Sequence, residues 1–331
     1  MIFRSLTLMS VLATFFLLAS CSDSATTDER STLPIPTEDE GIQSLPIPAE
    51  DEGIQFSFEY TVPAASEAWK CAVYSVPSDD FSYINSVESI SNAGMHHMTL
   101  GTMGFTGPQF EDGVYDCEEL LLENMTDLIL FFGNQGGDNN FTLPEGVVAT
   151  IPPGIKVIHE LHYVNPTEEP VDIYSYVNGY YISQDEITDG IWGGQIRDET
   201  LDVKDGEDSV EWTRCVMNEA VDVLFIGSHT HKLGVEFTVA KFDGENTGEV
   251  FYRNTDWHDP KIVQFEEPIR LEVGEGFEYQ CTFRNNTGAD VAYGSTAADE
   301  MCNLTIVHTP DSQSAQCEVV ETSDGVIWSR N

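Results

Sequence analysis

The chain has 331 residues, enough for one large or two ordinary domains, and 41% of them are hydrophobic, which suits a globular protein. This composition excludes bulk disorder, collagen and a multi-span membrane protein. With 14 Lys and Arg against 57 Asp and Glu, the net charge is −43, which repels phosphate backbones and excludes nucleic acid as a partner. Such acidity is typical of a solvating surface in a salty habitat; the alternative is steering of cations.

The first twenty residues are typical of a signal peptide. Arg4 precedes the apolar run VLATFFLLAS, which is too short to span a bilayer but has the length of a signal-peptide core. The run leads into LASC, which resembles a bacterial lipobox with Cys21 as the lipidated first mature residue; the alternative is an ordinary secretory signal. Ser22, rather than Asp, favours the outer membrane. The sequence therefore predicts an exported lipoprotein, held to the membrane only by its lipid on the periplasmic or cell-surface face.

A 12-residue tandem repeat follows. LPIPTEDEGIQS (33–44) is succeeded directly by LPIPAEDEGIQF (45–56). Proline favours extended backbone, the acids repel one another, and few apolar groups are available for a core. These features predict that residues 21–56 form a disordered acidic tether.

Beyond the tether the pattern is β throughout. Short alternating or β-branched segments recur from FSFEYTV (56–62) to FEYQCTF (277–283), and turn residues separate them. This spacing predicts an all-β fold of two tandem antiparallel, jelly-roll-like β-sandwiches. We place the domains at 57–184 and 185–326, with the seam in the stretch 180–200.

Seven cysteines fit an exported protein. Assigning Cys21 to the lipid leaves an even number, which suggests three disulfides. If bridges stay within each half, Cys71 pairs with Cys117. The remaining four cysteines are Cys215, Cys281, Cys302 and Cys317, and they can pair in three ways.

Histidine is scarce, yet it recurs in close pairs. Two imidazoles are adjacent in MHHM (95–98), two lie in HELH (159–162), and two lie in HTH (229–231). Residues at i and i+2 share one face of a strand, so the HTH pair can reach one ion. The alternative is that each histidine is a satisfied polar residue. Imidazole suits Zn, Cu, Fe and Ni, and a thioether shifts the choice toward Cu(I), so the pattern indicates a transition metal.

Four of these motifs resemble one enzyme family. HTHKLG (229–234) followed by GVEFTVAKF, and CTFRNNTG…DEMCNLTIV (281–307), are similar to the copper type II, ascorbate-dependent monooxygenases, the family of the peptidylglycine α-hydroxylating and dopamine β-monooxygenases. HHM (96–98) and the HY of LHYVNP (162–163) match in the N-terminal half. The resemblance covers residues 57–320, with the motifs in the family's order.

The resemblance implies two copper sites. The match assigns His229, His231 and Met301 to the oxygen-activating copper of the C-terminal domain. The second, electron-transfer copper of the N-terminal domain is matched by His96, His97 and His162. Structural roles remain for His159, His258 and His308. The family pattern also implies three disulfides: Cys71–Cys117, Cys215–Cys317 and Cys281–Cys302.

The implied activity is that of a dicopper monooxygenase, an oxidoreductase that hydroxylates a C–H bond of a small organic substrate. Its partners would be O2, the substrate, and ascorbate or another one-electron reductant. The alternative is a non-catalytic copper-binding or copper-carrier lipoprotein on the same fold. A zinc hydrolase is disfavoured, because Met is a poor zinc ligand and no paired carboxylate base is apparent.

The substrate is not expected to be a glycine-extended peptide. In the peptide-amidating members an Arg two residues before the HTH motif and a Tyr four after the Met hold the peptide carboxylate, together with an Asn. Here that Asn is kept as Asn303, but the other two positions are Gly227 and Thr305. The loss of a charge-assisted clamp favours a neutral or cationic substrate.

Overall fold

The computed structural model describes residues 45–76, 80–92, 94–104, 107–121, 128–134, 139–206, 208–257, 260–294 and 298–325. The predicted signal peptide, lipidated Cys21 and residues 21–44 of the predicted tether lie outside these ranges. So does His258.

Almost all described elements are strands, which confirms the predicted all-β class. The first half holds β1 (Gly53–Val62), β2 (Ser66–Ser75), β3 (Ser82–Ser91), β4 (Met95–Thr102), β5 (Gly113–Asp116), α1 (Cys117–Leu121), β6 (Ile129–Asn134), β7 (Asn139–Thr142), β8 (Val147–Ile151), β9 (Lys156–Asn165), β10 (Val171–Tyr181) and a 3-10 turn at Gln184–Glu186.

The second half follows directly. It holds β11 (Asp189–Gly190), β12 (Trp192–Arg197), β13 (Asp202–Val203), β14 (Asp208–Met217), β15 (Val221–Thr230), β16 (Gly234–Phe242), β17 (Thr247–Asn254), β18 (Val263–Leu271), β19 (Gly276–Arg284), β20 (Val291–Ala292), β21 (Cys302–Thr309) and β22 (Cys317–Thr322).

Each half contains two main sheets. Sheet 1 has the order β1-β10-β3-β8-β11, with β7 also paired to β3, and sheet 2 has the order β5-β2-β9-β4-β6. Sheet 3 has the order β12-β21-β15-β18, and sheet 4 has the order β17-β16-β19-β14-β22, with β13 and β20 forming a small separate pair. Pairing is antiparallel except between β11 and β8. Because β11 extends sheet 1 to Gly190, the first half continues beyond the predicted boundary at 184.

Alternation along the strands fills the cores. On β1, Phe56 and Phe58 are buried whereas Ser57 and Glu59 are exposed, as expected for a strand with one face on a core. The first core contains side chains from sheets 1 and 2, and the second contains side chains from sheets 3 and 4. The second core includes a stacked aromatic pair, Phe237 and Tyr279, whose ring centroids lie 5.7 Å apart.

The predicted tether extends too far along the chain. The second copy of the repeat, 45–56, is part of the fold: Leu45 is buried against Ile90 and Tyr176, and β1 already begins at Gly53. The composition of the repeat hid this, because only a few apolar residues such as Leu45 and Phe56 carry the packing.

Three disulfides are present, and they confirm the predicted pairs: Cys71–Cys117, Cys215–Cys317 and Cys281–Cys302. The last of these joins β21 of sheet 3 to β19 of sheet 4. Such bonds are typical of an oxidising, extracytoplasmic compartment. Among the described residues, none of the helices has the length and apolar content needed to cross a membrane.

The two halves are in direct contact. Leu143 and Val147 of the first half pack with Leu224 and Phe225 of the second in one buried cluster. The side chain of Gln264 also donates a hydrogen bond to the Thr142 carbonyl at 2.8 Å. These contacts fix sheet 3 beside the first sandwich.

Candidate metal centres

The first histidine cluster is built on a β-bulge. On β4 the pairing with β9 shifts register between Met95 and His97, so one extra residue is accommodated there. Successive strand residues ordinarily point to opposite faces, and a bulge relaxes that rule. As a result, His96 and His97 present their rings to the same side, with centroids 5.1 Å apart.

His162 of β9 completes the cluster. It lies directly opposite His97 in the ladder, and its ring centroid is 4.7 Å from that of His96 and 5.0 Å from that of His97. One nitrogen from each of the three imidazoles lies within 4.8 Å of the other two. The Nδ1 atoms of His96 and His97 are 2.9 Å apart, so both point inward.

Two carboxylates hold the outward nitrogens. The Nε2 of His97 lies 2.8 Å from Glu160, and the Nε2 of His162 is hydrogen-bonded to Glu67. A carboxylate on the outer nitrogen fixes the tautomer and the ring orientation of a metal-ligating histidine. The arrangement leaves Nδ1 of both rings available to an ion.

Glu160 is held ionised inside the sheet. Burial by itself would raise the pKa of this carboxyl, but the charge of His97 and hydrogen bonds from His97, Thr99 and Trp69 outweigh it and lower the pKa to about 2. A permanent negative charge therefore lies behind the first cluster and favours cation binding.

His159 lies on the opposite face of β9 from His162. This residue is fully buried, with Nε2 2.9 Å from the Ser175 hydroxyl and Nδ1 2.7 Å from the Tyr74 hydroxyl. Burial lowers the pKa of His159 to about 3. It is a core residue, as its position three residues before His162 predicts.

The second cluster lies where β15 ends in a tight turn. His229 is on the strand and His231 is just beyond it, with ring centroids 5.2 Å apart. The turn closes with a hydrogen bond from the Gly234 amide to the His231 carbonyl. A Cβ at Gly234 would lie 2.3 Å from the Thr230 hydroxyl, so only glycine allows the chain to return this closely.

Met301 and Asn303 approach from the neighbouring strand. Asn303 lies opposite His229 in the β15–β21 ladder, and Thr230 pairs with Cys302, so Met301 comes next to His231. The Asn303 side chain lies 3.2 Å from the Met301 sulfur, while its Oδ1 is buried without a hydrogen-bond partner in the described structure. Cys302 points the other way, into the disulfide with Cys281.

Glu300 ties the two ligand-bearing segments together. Its carboxylate accepts hydrogen bonds from the backbone amides of His231 (2.9 Å), Leu233 (2.7 Å) and Met301 (3.2 Å). The Nδ1 of His231 lies 2.9 Å from the Asp299 carbonyl oxygen, which assigns the ring proton to Nδ1. The lone pair of Nε2 is then available to a metal ion.

Residues of the two halves approach each other near the clusters. Burial, followed by the charges of His231, His97 and Arg197, lowers the pKa of His229 to about 3. The Trp257 ring lies 6.5 Å from that of His96. His97 of the first half is therefore within electrostatic range of the second cluster.

Comparison with known proteins agrees with this architecture. Residues 203–330 match the family model of the copper type II ascorbate-dependent monooxygenase, C-terminal domain. The match covers the C-terminal part of the chain, which carries the second cluster. The chain is also 24% and 23% identical to the peptidyl-glycine alpha-amidating monooxygenases A and B of Xenopus laevis, over 76% of its own length in each case. It spans only 27% and 29% of those relatives. The family resemblance drawn from the sequence is confirmed.

Likeness to solved structures adds nothing further. An exported protein, PBSX XepA, aligns over 77% of the chain with a TM-score of 0.18, and coconut allergen cocosin aligns over 82% with a TM-score of 0.16. Scores this low carry no argument about fold.

The donor sets fit the copper that this family implies. Three imidazoles converge in the first cluster. In the second, two imidazoles lie beside a segment that carries a thioether, a soft donor that favours Cu(I). In the second cluster the neutral state of His229, set by burial, keeps its ring available as a ligand at neutral pH.

Other residues singled out in the sequence have structural roles. His308 is buried, with Nδ1 3.1 Å from the Pro310 carbonyl. Lys232 is exposed in the turn after His231. Arg214 is engaged by Glu278 and Glu321 on sheet 4.

Sequence reasoning missed the residues that support the ligands. These are Glu67, Glu160 and Glu300. Glu160 carried a usable signal, because it lies two residues before His162 and so shares its strand face, and Glu300 lies inside the DEMCNLTIV motif, next to Met301.

Proposed function

We propose that the chain is a copper-dependent monooxygenase that uses O2 and an external reductant to hydroxylate a C–H bond of a small organic substrate. The observation that carries the proposal is the presence of two different donor sets, three histidines on sheet 2 and two histidines with a methionine on sheet 3. A copper carrier would need only one of them.

Two separate copper sites suit the number of electrons that the reaction consumes. Hydroxylation converts R–H, O2, two electrons and two protons into R–OH and water, so two electrons come from outside. Copper at His229, His231 and Met301 would supply oxygen activation, and copper at His96, His97 and His162 would store the second electron.

The chain's own contribution is orientation and charge. Glu160 and Glu67 hold the rings of the first set, and Glu300 holds the backbone of the second set at both His231 and Met301. Burial keeps His229 neutral, so at neutral pH no proton competes with copper for the lone pair of its ring nitrogen.

A glycine-extended peptide does not fit this site. Gly227 and Thr305, which pair across β15 and β21, provide no cation or phenol on the face that carries Asn303. The candidate substitutes, Lys232 and Arg214, are respectively exposed to solvent and bound to two carboxylates. The positions that form the clamp in the amidating enzymes therefore do not supply it here, and the substrate we propose is a small molecule of another class.

The setting proposed for this reaction is outside the cytoplasm. Three disulfides support export, and the LASC motif supports lipidation of Cys21 at a bacterial outer membrane. Ascorbate, the family's reductant, or another one-electron donor supplies the electrons.

The test is incorporation of 18O from 18O2. Copper-loaded protein is given ascorbate and a panel of small aromatic amines, alcohols and acids, with an acyl-glycine peptide as comparison. We expect one 18O atom in a hydroxylated product of a small molecule, and none with Met301→Ala, which keeps the first donor set. Suppose that the protein binds copper but forms no product and shows no reductant-dependent O2 uptake with any substrate of the panel. That result would favour the copper carrier and refute the enzyme.

A further inference from the structure

Arg197 lies beside the second cluster in a cross-strand row. In sheet 3 it pairs directly with Asn303, and Asn303 pairs on its other side with His229. Directly opposed residues point to the same face of a sheet, so all three side chains share the face that carries the cluster.

Arg197 stands out among the cations of this acidic chain. Eleven Lys and Arg lie in the described ranges, and eight of them form an ion pair. Of the other three, Lys232 and Lys261 are exposed to solvent, whereas Arg197 is half-buried. A partly desolvated guanidinium without a carboxylate partner is costly, and in a chain with a net charge of −43 its isolation calls for an explanation.

The described neighbours of Arg197 leave donors of its guanidinium unoccupied. Its interaction with the Tyr293 hydroxyl can take up only part of the five-donor fork. Next to it, the Oδ1 of Asn303 is buried with no partner in the described structure. The buried carboxylate of the second cluster, Glu300, is already bound by three backbone amides. In the described part of the chain, the Arg197 guanidinium therefore keeps donors that no carboxylate occupies, on the same sheet face as the second cluster.

We propose that Arg197 binds an anionic group, a carboxylate or the enolate of a reductant, on a molecule whose other end lies at His229 and Met301. The inference deepens the proposed function, on which it rests, by naming the charge class of its ligand. Where the ligand is the substrate, the inference replaces the sequence-based expectation of a neutral or cationic substrate; where it is the reductant, that expectation stands.

The position of Arg197 differs from a clamp on the ligand strand. β12 is separated from β15 by β21, so the Cα atoms of Arg197 and His229 lie roughly 10 Å apart at two strand spacings. A molecule held at both ends has its anionic group several bonds away from the atom nearest His229. The guanidinium can receive a carboxylate through two parallel hydrogen bonds.

Equilibrium binding to the full chain tests this without requiring turnover. Phenylalkanoates with one to five methylenes, and their uncharged amides as matched probes, are titrated calorimetrically into the copper-loaded and the copper-free protein. The variants are Arg197→Gln, Arg197→Lys as the charge-conserving change, and Arg253→Gln as an exposed control that pairs with Glu236. Thermal unfolding verifies that each variant is folded.

We expect the wild type to prefer one carboxylate over its amide. Arg197→Gln should weaken carboxylate binding roughly 10- to 100-fold and leave amide binding unchanged, as expected for the loss of a charge-assisted pair. Arg197→Lys should keep part of the preference, and Arg253→Gln should keep all of it. Rising salt should weaken the preference.

A second arm identifies the source of the anion. If the reductant binds at Arg197, ascorbate should compete with the carboxylate, and the affinity for ascorbate should fall in Arg197→Gln. If the substrate binds there instead, the affinity for ascorbate should be the same in the wild type and in Arg197→Gln. The proposal is overturned if neither ascorbate nor any carboxylate depends on Arg197. Arg197-dependent binding in a chain that shows no monooxygenation would refute the enzyme function alone.

Discussion

Glu160 should control the affinity of the first copper site without touching the metal. Its side chain is only 8% exposed and lies behind His97, whereas Glu67, behind His162, is 62% exposed. Removal of a partner of this kind typically costs 10- to 100-fold in metal affinity. The buried carboxylate should therefore matter far more than the exposed one.

Two substitutions separate charge from hydrogen bonding. In Glu160→Gln the amide oxygen can still accept from His97 and Trp69, and its NH2 can donate to the Thr99 hydroxyl, so mainly the charge is lost. We expect about 10-fold weaker copper binding. Glu160→Ala also leaves buried donors unpaired, at about 1–3 kcal/mol each, so we expect about 100-fold weaker binding together with reduced stability.

The assay is chelator competition in a background of His229→Ala and His231→Ala, which leaves one copper site. Glu67→Gln is the matched control and should change affinity by less than about threefold, because an exposed carboxylate is screened by solvent. Copper binding by Glu160→Gln and Glu160→Ala as tight as that of the unsubstituted Glu160 background would show that Glu160 does not orient His97.

Three further predictions concern stability. Gly234→Ala should destabilise the chain by about 1–3 kcal/mol in urea unfolding because its Cβ has no space, whereas Gly194→Ala, whose Cβ meets open space, should be neutral; equal effects would contradict the close turn. Replacing Cys281 and Cys302 with Ser should lower the free energy of unfolding by about 3.3 kcal/mol on the chain-entropy model for a 21-residue separation, and an unchanged unfolding midpoint would contradict it. Because the pKa of His159 is lowered to about 3, the unfolded chain binds a proton at this residue below its ordinary pKa of 6.5 and the folded chain does not. Stability should therefore fall by about 1.4 kcal/mol per pH unit from this residue as pH drops from 6.5 toward 3, and His159→Gln should flatten that slope.

The sequence predicted the class of fold and the disulfides because those depend on short patterns and on a family match. It identified the ligand candidates for the same reason. Strand alternation by itself would have separated His96 from His97, since the bulge that unites them arises from the register between β4 and β9. A bulge has no signature in a single strand, so only the family resemblance could pair these two residues.

Long-range register explains the other omissions. Arg197 is 32 residues before His229 and more than 100 before Asn303, yet the three form one row because β21 inserts between β12 and β15. No spacing rule connects strands that pair across such separations. The extent of the tether was misjudged for a related reason: Leu45 gains its partners Ile90 and Tyr176 only when the chain folds.

Copper stoichiometry in matched variants tests the central claim, two separate metal sites, most directly. The wild type, His96→Ala with His97→Ala, and His229→Ala with His231→Ala are loaded with copper, freed of excess metal, and analysed per chain. We predict two coppers in the wild type and one in each double variant. A wild type that holds a single copper, or only zinc, would contradict the account.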